Sequence, residues 1–457
     1  MKKKLLSLVS IAILIGTSLA SPVYATNGNR FQEELVKPLA VDGTIMEIEP
    51  NNSIKEAMTV NEIDNFGGFV SSGDQDFYKL TVTKKGILYV DSRVFADNSY
   101  VVSSVFNGKG ELLSFGKVDW NRGISNELVV EPGTYYISFQ VGPSLPGEQE
   151  YSFGVFTYEG HINRLSGEDR YETAVEIANR WAELSEDIIL ATGQDFPDAL
   201  AAGPLSVQMR APILLTRKTE IPESVKEFIS FGEVKDVKII GGTEVISQDV
   251  ENYLKNVMGL KVERIAGSDR FDTASKIADR LENVYGEKVA YVVNGRNFPD
   301  ALSISPVAAS EGAPILLTES DSIPQATLNK INNYDKFFVI GGTNSVSDNI
   351  ANKLGTVTRI GGNDRYETSV QVAEYFDYLL GENHEAYIAT GTNFADALTG
   401  APVAAVYPGP LLLTPSNYLH EDAKNYFERY NTIYFSIFGG KNAVSENVEN
   451  EIRSLIE

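Results

Sequence analysis

An eleven-residue sequence, Arg164-Leu-Ser-Gly-Glu-Asp-Arg-Tyr-Glu-Thr-Ala174, occurs three times in this chain. It returns as Arg264-Ile-Ala-Gly-Ser-Asp-Arg-Phe-Asp-Thr-Ala274 and as Arg359-Ile-Gly-Gly-Asn-Asp-Arg-Tyr-Glu-Thr-Ser369. The copies start 100 and 95 residues apart. This period is too long for one unit of a solenoid, so each copy is predicted to be a small domain in a tandem array.

Three further segments follow each copy in the same order. In the first copy they are Asp195-Phe-Pro-Asp-Ala-Leu200, Ala211-Pro-Ile-Leu-Leu-Thr216 and Ile239-Ile-Gly-Gly-Thr243. In the second they are Asn297-Phe-Pro-Asp-Ala-Leu302, Ala313-Pro-Ile-Leu-Leu-Thr318 and Val339-Ile-Gly-Gly-Thr343. In the third they are Asn393-Phe-Ala-Asp-Ala-Leu398, Gly409-Pro-Leu-Leu-Leu-Thr414 and Ile437-Phe-Gly-Gly-Lys441. The third copy therefore departs from the others at Ala395 and Lys441.

The periods within a copy predict alternating strands and helices. Short apolar runs without alternation are typical of strands that are buried on both faces of a parallel sheet. The aspartate of each eleven-residue sequence (Asp169, Asp269 and Asp364) is a predicted helix N-cap with an acid three residues later, and a serine is predicted to cap the last helix of each copy (Ser247, Ser347 and Ser445). The Gly-Gly pairs are predicted turns with positive φ or close backbone contacts, and the Phe-Pro-Asp-Ala-Leu segments are predicted helix starts. Each copy is thus predicted to be α/β with a parallel sheet.

Composition narrows the classes of function. The chain has 457 residues and a formal charge of -23, which argues against binding to nucleic acid because phosphate neutralisation needs a basic surface. It has no cysteine, which excludes a disulfide scaffold, a thiolate metal site and a cysteine nucleophile.

Residues 1–25 are predicted to be a secretory signal peptide. Three lysines precede an apolar run from Leu5 to Leu19, and a small-residue site ends at Ala25. Residues 26–43 are predicted to be a polar leader, and no stretch of the mature chain is apolar enough to span a bilayer. The expected location is outside the cell.

Residues 44–158 are predicted to be all-β. Strand patterns cover 76–82, 86–91, 134–140 and 151–156, with turns at Lys84-Lys-Gly86 and Asn107-Gly-Lys-Gly110. Short strands at this spacing predict a β-sandwich.

The β-region resembles the bacterial pre-peptidase C-terminal type domain. The resemblance rests on Glu47-Ile-Glu-Pro-Asn-Asn-Ser53, Gly73-Asp-Gln-Asp-Phe-Tyr78 and Pro132-Gly-Thr-Tyr-Tyr136. It implies a secreted accessory module, and some similar domains bind calcium near the first motif. Glu47, Glu49, Asn51 and Asp74 offer the oxygen ligands that calcium takes, although Asn51 and Asp74 are also ordinary turn residues.

Residues 161–457 resemble the cell wall binding type 2 repeats of Gram-positive bacteria. The four repeated segments carry this resemblance, and the predicted repeats are 161–258, 259–355 and 356–457. The resemblance implies three Rossmann-like α/β domains in a pseudo-threefold assembly, held non-covalently by an anionic secondary cell wall polymer. S-layer-like anchoring of a surface protein, beside a domain with its own activity, is the implied organisation.

Two sets of arginines are the predicted binding residues for the polymer. Arg170, Arg270 and Arg365 follow the helix N-caps, where a guanidinium beside backbone N–H groups suits a phosphate or carboxylate. Arg164, Arg264 and Arg359, at the ends of the preceding strands, are second candidates. The alternative is internal ion pairing within each copy, of Arg170 with Asp198, Arg270 with Asp300 and Arg365 with Asp396. Three modest sites on one chain would bind a polymer by avidity.

No catalytic motif was found. The chain has three histidines, none at a repeated position, and lacks the patterns of zinc peptidases and serine hydrolases. The Gly-Gly pairs lack the spacing of a nucleotide site. The leading hypothesis is a wall-binding protein without enzymatic activity. The alternatives are a wall-bound modulator of a peptidoglycan hydrolase or a surface adhesin, with peptidoglycan or a wall enzyme as a partner, and then a hydrolase, because a pair of catalytic carboxylates leaves no sequence motif.

Overall fold

The structure, a computed structural model, describes residues 44–62, 64–95, 100–119, 123–141, 147–182, 185–195, 197–282, 288–380 and 384–457. The predicted signal peptide, its cleavage point and the polar leader lie outside the described residues. No helix within the described ranges is long and apolar enough to cross a membrane.

The N-terminal region is β-rich, as predicted, and contains two five-stranded sheets. The first holds β1 (Ile45–Met46), β3 (Asn65–Val70), β5 (Gly86–Val94), β8 (Ile124–Val130) and β10 (Gln149–Glu159). The second holds β2 (Met58–Thr59), β4 (Asp76–Val82), β6 (Tyr100–Asn107), β7 (Leu112–Asp119) and β9 (Gly133–Val141). Phe153 of the first sheet and Tyr78 of the second meet edge-to-face at 4.6 Å between ring centroids, within one buried cluster.

The two predicted turns of this region have different roles. At 107–110 the chain forms the hairpin between β6 and β7, where Asn107 Oδ1 accepts from the backbone N–H groups of Lys109 (2.9 Å) and Glu111 (3.0 Å). The turn at 84–86 is not a hairpin, since β4 and β5 belong to different sheets. Local turn chemistry identifies the reversal, but sheet partners depend on long-range packing.

Each repeat copy contributes three consecutive strands to its own parallel sheet, as the apolar runs predict. They are β12 (Asp187–Thr192), β13 (Ile213–Thr216) and β14 (Asp236–Ile240) in the first copy, β16 (Val289–Asn294), β17 (Ile315–Thr318) and β18 (Lys336–Ile340) in the second, and β20 (Glu385–Thr390), β21 (Leu411–Thr414) and β22 (Tyr434–Phe438) in the third. The three α/β units with parallel sheets are thereby confirmed.

The first strand of each copy joins the sheet of a different copy. These strands are β11 (His161–Leu165), β15 (Lys261–Ile265) and β19 (Val357–Ile360). Strand β15 pairs with β14 of the first copy, β19 pairs with β18 of the second, and β11 pairs with β22 of the third, all in parallel. The exchange is therefore cyclic, and the sheets run across the predicted boundaries at 258/259 and 355/356.

Helices cover the sheets and fill the space between the copies. The first copy has α1 (Arg170–Asn179), a 3₁₀ turn (Ala199–Ala201), α2 (Ala202–Met209), α3 (Glu223–Phe231) and α4 (Gln248–Asn256). The second has α5 (Arg270–Ala278), α6 (Pro299–Glu311), α7 (Gln325–Ile331) and α8 (Asp348–Leu354). The third has α9 (Arg365–Tyr375), α10 (Asp377–Leu380), α11 (Ala395–Val406), α12 (Glu421–Arg429) and α13 (Glu446–Ile456).

Helices α2, α6 and α11, one from each copy, pack against one another. Most of their residues are apolar or small, which is typical of a buried helix, and α6 is buried from Pro299 to Ala309, including Asp300. Pro299 is the first residue of α6, so the predicted helix start is confirmed there, and Ala395 begins α11. Buried residues of all three copies form one continuous cluster.

The predicted caps at the helix starts are confirmed for the three aspartates and for Ser247 and Ser445, whereas Ser347 makes no cap bond because its buried Oγ has no hydrogen-bond partner. Oδ1 of Asp169 accepts from the backbone N–H groups of Tyr171 (2.8 Å) and Glu172 (3.0 Å). Glu172 Oε2 in turn accepts from the backbone of Glu168 (2.9 Å), one residue before the cap. Asp364 accepts the same two bonds, and Asp269 accepts one, from the backbone N–H of Asp272. Such bonds satisfy amides that the helix itself leaves free.

The β-region follows onto the first copy through a single residue, Gly160, between β10 and β11. It also contacts the third copy: Lys85 Nζ donates to the backbone oxygen of Leu455 (3.0 Å), and Tyr434 Oη donates to that of Tyr158 (3.3 Å). Ile87 of β5 belongs to the buried cluster of the repeats. The β-region is thus joined to the repeats by packing as well as by the chain.

We predict that Gly400→Ala lowers the free energy of unfolding by about 1–3 kcal/mol, because overpacking a filled core is costly. A Cβ at Gly400 in α11 would lie 2.2 Å from the ring of Phe438, which is fully buried. Gly242→Ala is the matched control, since a Cβ there meets no atom within 4 Å. Denaturant unfolding of both variants tests this, and equal midpoints would contradict the close approach of α11 to β22.

Candidate functional site

The first set of predicted arginines lies where the copies join. Arg164 Nη1 donates to the backbone oxygens of Gly439 (2.7 Å) and Val444 (3.0 Å), and its Nε and Nη2 donate to Glu449 (3.1 and 2.8 Å). The guanidinium therefore holds the Gly-Gly turn and last helix of the third copy against the first strand of the first copy.

Arg264 and Arg359 do the same at the other two joins. Arg264 donates to the backbone oxygen of Gly241 (2.8 Å) and to Glu251 (2.8 Å), and Arg359 donates to Gly341 (3.0 Å) and Asp348 (3.1 Å). Because their donors are engaged within the protein, these contacts favour a structural role for this set.

The second set of arginines is placed differently. One N–H of each guanidinium donates to the backbone oxygen of its own copy's strand-end glycine: Arg170 to Gly193, Arg270 to Gly295 and Arg365 to Gly391. The side chains are half-buried, and among the described residues none of them forms an ion pair within 4.0 Å. Their remaining donors are therefore available to a ligand.

Each of these arginines faces another copy, so the pairing predicted within copies was wrong in its partners. Arg170 lies over the ring of Phe394 (5.8 Å), and Arg365 over that of Phe298 (5.7 Å). The arginines act electrostatically on three acids in the copy before them: Arg170 on Asp396, Arg270 on Asp198 and Arg365 on Asp300. The cyclic exchange brings these charges together.

A cleft of about 410 Å³ opens at the join of the third and first copies, hereafter the 3–1 cleft. Loop 167–173 of the first copy forms one wall. The third copy supplies the other: Thr390, Thr392, Asn393, Ala395, Asp396, Ser416, Gly440, Lys441, Asn442 and Ala443. Arg170 and Lys441 thus line the same space from opposite walls, and Lys441 is one of the two residues at which the third copy departs from the others.

Hydroxyl groups line one side of the 3–1 cleft. Thr390 Oγ1 lies 2.8 Å from Thr392 Oγ1 and 3.2 Å from Ser416 Oγ. Hydroxyl and amide groups both donate and accept hydrogen bonds, as sugar hydroxyls require, while Arg170 and Lys441 supply positive charge. The cleft is chemically suited to a sugar that carries an acidic group.

The acids in these joins are held in poorly hydrated places. Burial raises the pKa of Asp396 to about 6, against the lowering effect of Arg170. Burial likewise raises the pKa of Asp300, against a hydrogen bond from Ser345 and the charge of Arg365. It raises that of Asp198 against the effects of Thr273 and Arg270.

An arginine or histidine side chain covers the helix aromatic of every copy, and the repeated segments did not reveal it. Arg217 lies 4.8 Å from the ring of Tyr171, and Arg296 lies 5.7 Å from that of Phe271. In the third copy the imidazole of His420 stacks on Tyr366 at 4.9 Å. These three residues occupy non-equivalent positions in the sequence, so only the fold shows that they correspond.

A second candidate site is an acidic cluster in the β-region. Oxygens of Glu47, Glu49 and Asp76 lie within 4.8 Å of one another, so Asp76 takes the place that Asp74 was predicted to fill. Asn51 is fully buried and donates to Glu47 (3.1 Å), while its Oδ1 and Asp76 Oδ1 have no hydrogen-bond partner. Unpartnered buried oxygens beside carboxylates fit a hard cation such as calcium.

The repeats match a known family along most of their length. The model of the family described as cell wall binding domain 2 (CWB2) matches residues 164–251, 264–351 and 359–449. The chain belongs to the CWB2 family. Each CWB2 match starts at the arginine that joins two copies.

Two curated relatives are similar over the CWB2 part. The chain is 32% identical over 298 residues to the N-acetylmuramoyl-L-alanine amidase LytC of Bacillus subtilis, covering 65% of this chain and 59% of the relative. It is 34% identical over 293 residues to the amidase enhancer of the same species, covering 64% of this chain and 40% of the relative. The chain thus spans about half the length of these proteins.

A solved structure with a similar fold is Cwp8 from Clostridium difficile. It matches with a TM-score of 0.58 and 30% sequence identity, over 65% of this chain and 51% of its own. With the family match, this likeness indicates a cell-surface or cell-wall protein.

We predict that Arg164→Ala and Arg264→Ala each lower the free energy of unfolding by about 2–4 kcal/mol, because each removes one of the two cationic partners of a mostly buried glutamate and leaves backbone oxygens of the Gly-Gly turn without their hydrogen bond. The side chains of Arg164 and Glu449 are 14% and 21% exposed, and those of Arg264 and Glu251 are 14% and 10% exposed. Arg359→Ala should cost less, about 1 kcal/mol, since its partner Asp348 is 72% exposed.

Denaturant unfolding of the three variants measures this order. An equal and small effect for all three would contradict the joining role and return these arginines to the candidate ligand site.

Proposed function

We propose that the chain is a surface protein held non-covalently at the cell wall by its three CWB2 copies. The observation that carries this is the set of half-buried arginines, Arg170, Arg270 and Arg365, each at a join between copies and each with free donors. The family match and the likeness to Cwp8 support the same function.

The proposed ligand is an anionic secondary cell wall polymer. The 3–1 cleft supports this, because it combines the cations Arg170 and Lys441 with a row of hydroxyl groups. A polymer that presents repeated acidic groups can occupy several joins at once, so weak single contacts add up to strong retention. In this acidic protein Arg170 and Lys441 place two cationic groups in the cleft without a basic surface.

We further propose a pseudo-threefold arrangement of the copies. The cyclic strand exchange and the mutual packing of α2, α6 and α11 support it. In such an arrangement the three joins are equivalent in backbone and differ in side chains, as Lys441 against Thr243 and Thr343 illustrates.

The proposed location is the wall of a Gram-positive bacterium, after secretion through the signal peptide at 1–25. The β-region is proposed to be a sandwich of the pre-peptidase C-terminal type, displayed by the anchored repeats. Two five-stranded sheets that share one buried cluster support this proposal.

A second candidate function is a wall-bound modulator of a peptidoglycan hydrolase, or an adhesin. The names of the two curated relatives suggest the former. A specific surface also favours partner binding: on the edge strand β7, Leu112, Leu113 and Phe115 are 53%, 46% and 70% exposed. Hydrolysis by the chain itself ranks behind both.

The combined variant Arg170→Ala, Arg270→Ala and Arg365→Ala is predicted to bind isolated walls at least about tenfold more weakly, because each join loses a charged hydrogen-bond donor. Co-sedimentation with purified walls measures the affinity. The matched control replaces Lys226, Lys235 and Arg429 by alanine, which removes the same charge from exposed ion pairs elsewhere.

Unchanged binding of a folded triple variant would remove these arginines from the site. Loss of binding after the polymer is stripped from the walls identifies the ligand class. If labelled wall is used, release of label by the wild-type protein would assign hydrolysis instead.

We also propose that Glu47, Glu49, Asn51 and Asp76 hold a calcium ion. Burial, with smaller contributions from Glu47 and Asp74, raises the pKa of Asp76 to about 8 against a hydrogen bond from Tyr151. A bound divalent cation would counter this accumulation of negative charge and displace the proton. Asp74 remains near the cluster and adds to its field.

Calcium is predicted to bind with a dissociation constant of about 0.1–1 mM, as in other extracellular modules, and to raise the unfolding temperature. Because a proton is displaced, binding should strengthen from pH 6.5 to 8.5. Titration calorimetry measures both. Asp76→Asn should abolish the heat and Glu111→Gln, in the exposed turn at 107–110, should not; no heat from the wild-type protein would refute the site.

A further inference from the structure

One carboxylate per join is built into the fold at the start of a central helix. Asp396 and Asp300 are 8% and 7% exposed, and Asp198 is half-buried. Their positions are fixed by the Gly-Gly turns: a Cβ on Gly439, Gly341 or Gly241 would lie 2.4, 2.3 or 3.0 Å from Oδ2 of the neighbouring aspartate.

These glycines have φ of 108°, 104° and 106° respectively, as predicted for the turn. A side chain would therefore be both strained and in collision with the carboxylate. The fold consequently keeps each aspartate against the turn, beside the arginine that the neighbouring copy supplies.

Each join has its own set of charges facing the aspartate. Asp396 shares the 3–1 cleft with Arg170, with Glu168 and Asp169 of the same loop, and with Lys441 of the opposite turn.

The other two joins have Thr243 and Thr343 in place of Lys441. Asp198 faces Arg270 together with Asp195 and Asp269, which oppose its ionisation. Asp300 faces Arg365 and accepts a hydrogen bond from Ser345 (2.7 Å).

An anion that binds to the arginine would lie beside this carboxylate. Two negative charges in a poorly hydrated place repel one another, as in paired carboxylates that share one proton. Without ligand, the arginine is balanced by the ionised aspartate. When the ligand is bound, its anion balances the charge of the arginine. The aspartate then either stays ionised at a cost in free energy or takes up a proton and becomes neutral.

We propose that each join takes up one proton from solvent, at Asp198, Asp300 or Asp396, when it binds an acidic group of the wall polymer. The carboxylate becomes a carboxylic acid whose O–H can donate to the ligand. Net charge in the join is unchanged by this exchange, since the ligand's charge replaces that of the aspartate. This inference rests on the proposed polymer-binding function. It adds that a proton binds together with the polymer.

Proton uptake makes polymer binding depend on pH with a defined sign. The pKa of Asp396, about 6 without ligand, rises further when an anion binds. Below pH 6 the group is already protonated, so binding is maximal there. Above pH 6 the affinity of that join falls by up to tenfold per pH unit, until the pKa of the bound state is reached.

The test compares isolated walls at pH 5.5 and 7.5 with the wild-type protein and with Asp396→Asn, which mimics the neutral acid. The ratio of the affinities at pH 5.5 and 7.5 should be at least threefold smaller for the variant than for the wild-type protein. The variant should also bind more tightly than wild type at pH 7.5. Glu428→Gln, which changes an exposed carboxylate on α12 outside the 3–1 cleft, is the control and should keep the wild-type profile. Titration of the walls themselves cancels in these ratios.

Combining Asp396→Asn with Asp300→Asn and Asp198→Asn should reduce the pH dependence of binding further. A pH-stat measurement on the wild-type protein needs no variant: mixing with purified wall polymer at pH 7 should consume protons, up to three per chain. Parallel pH profiles, or no proton consumption on binding, would overturn the inference while leaving polymer binding intact. Absence of binding at both pH values would overturn the proposed function as well.

Discussion

Backbone pairing between the first strand of each copy and the sheet of another copy is the constraint on which the rest of this structure depends. It completes every sheet with a strand that the copy does not itself contain. The arginine near the end of that strand then bonds to the Gly-Gly turn of the neighbouring copy, as Arg164 does to Gly439. A copy cut out of the chain would lose a strand and expose a sheet edge, so the three copies fold as one body around a shared core.

The pairing also explains why two sets of arginines, six residues apart in each copy, differ in role. The first set lies on the exchanged strand, and its guanidinium groups donate hydrogen bonds to the turn that this strand covers. The second set lies at the first residue of the next helix. This position is beyond the turn, at the surface of the join. Arg164 and Arg170 are the same residue type in the same motif, and their positions relative to the neighbouring copy give them different contacts: Arg164 bonds to Gly439 of the third copy and Arg170 to Gly193 of its own copy.

Local features were predictable from sequence, and partners were not. The N-caps at Asp169, Asp269 and Asp364, the helix start at Pro299 and the positive φ of the Gly-Gly turns follow from interactions within a few residues. The acids opposite the arginines were named correctly but assigned to the wrong copies, because repeated charges give no information about which copy supplies them. Arg217, Arg296 and His420 were missed, since they fill one place from three different sequence positions. In the β-region, the turn at 84–86 was found but its sheets were not.

The single residue Gly160 between β10 and β11 gives the molecule a defined mechanical path. A pull on the β-region passes directly into β11, the strand that closes the cycle on β22. Residues 161–165 of β11 pair in parallel and in register with 434–438, so a force along the strand must shear these pairs together instead of opening them one at a time. The hydrogen bonds of Lys85 and Tyr434 also link the β-region to the third copy. Tension on the β-region would thus be carried by the five residue pairs between β11 and β22, where the cycle of copies closes.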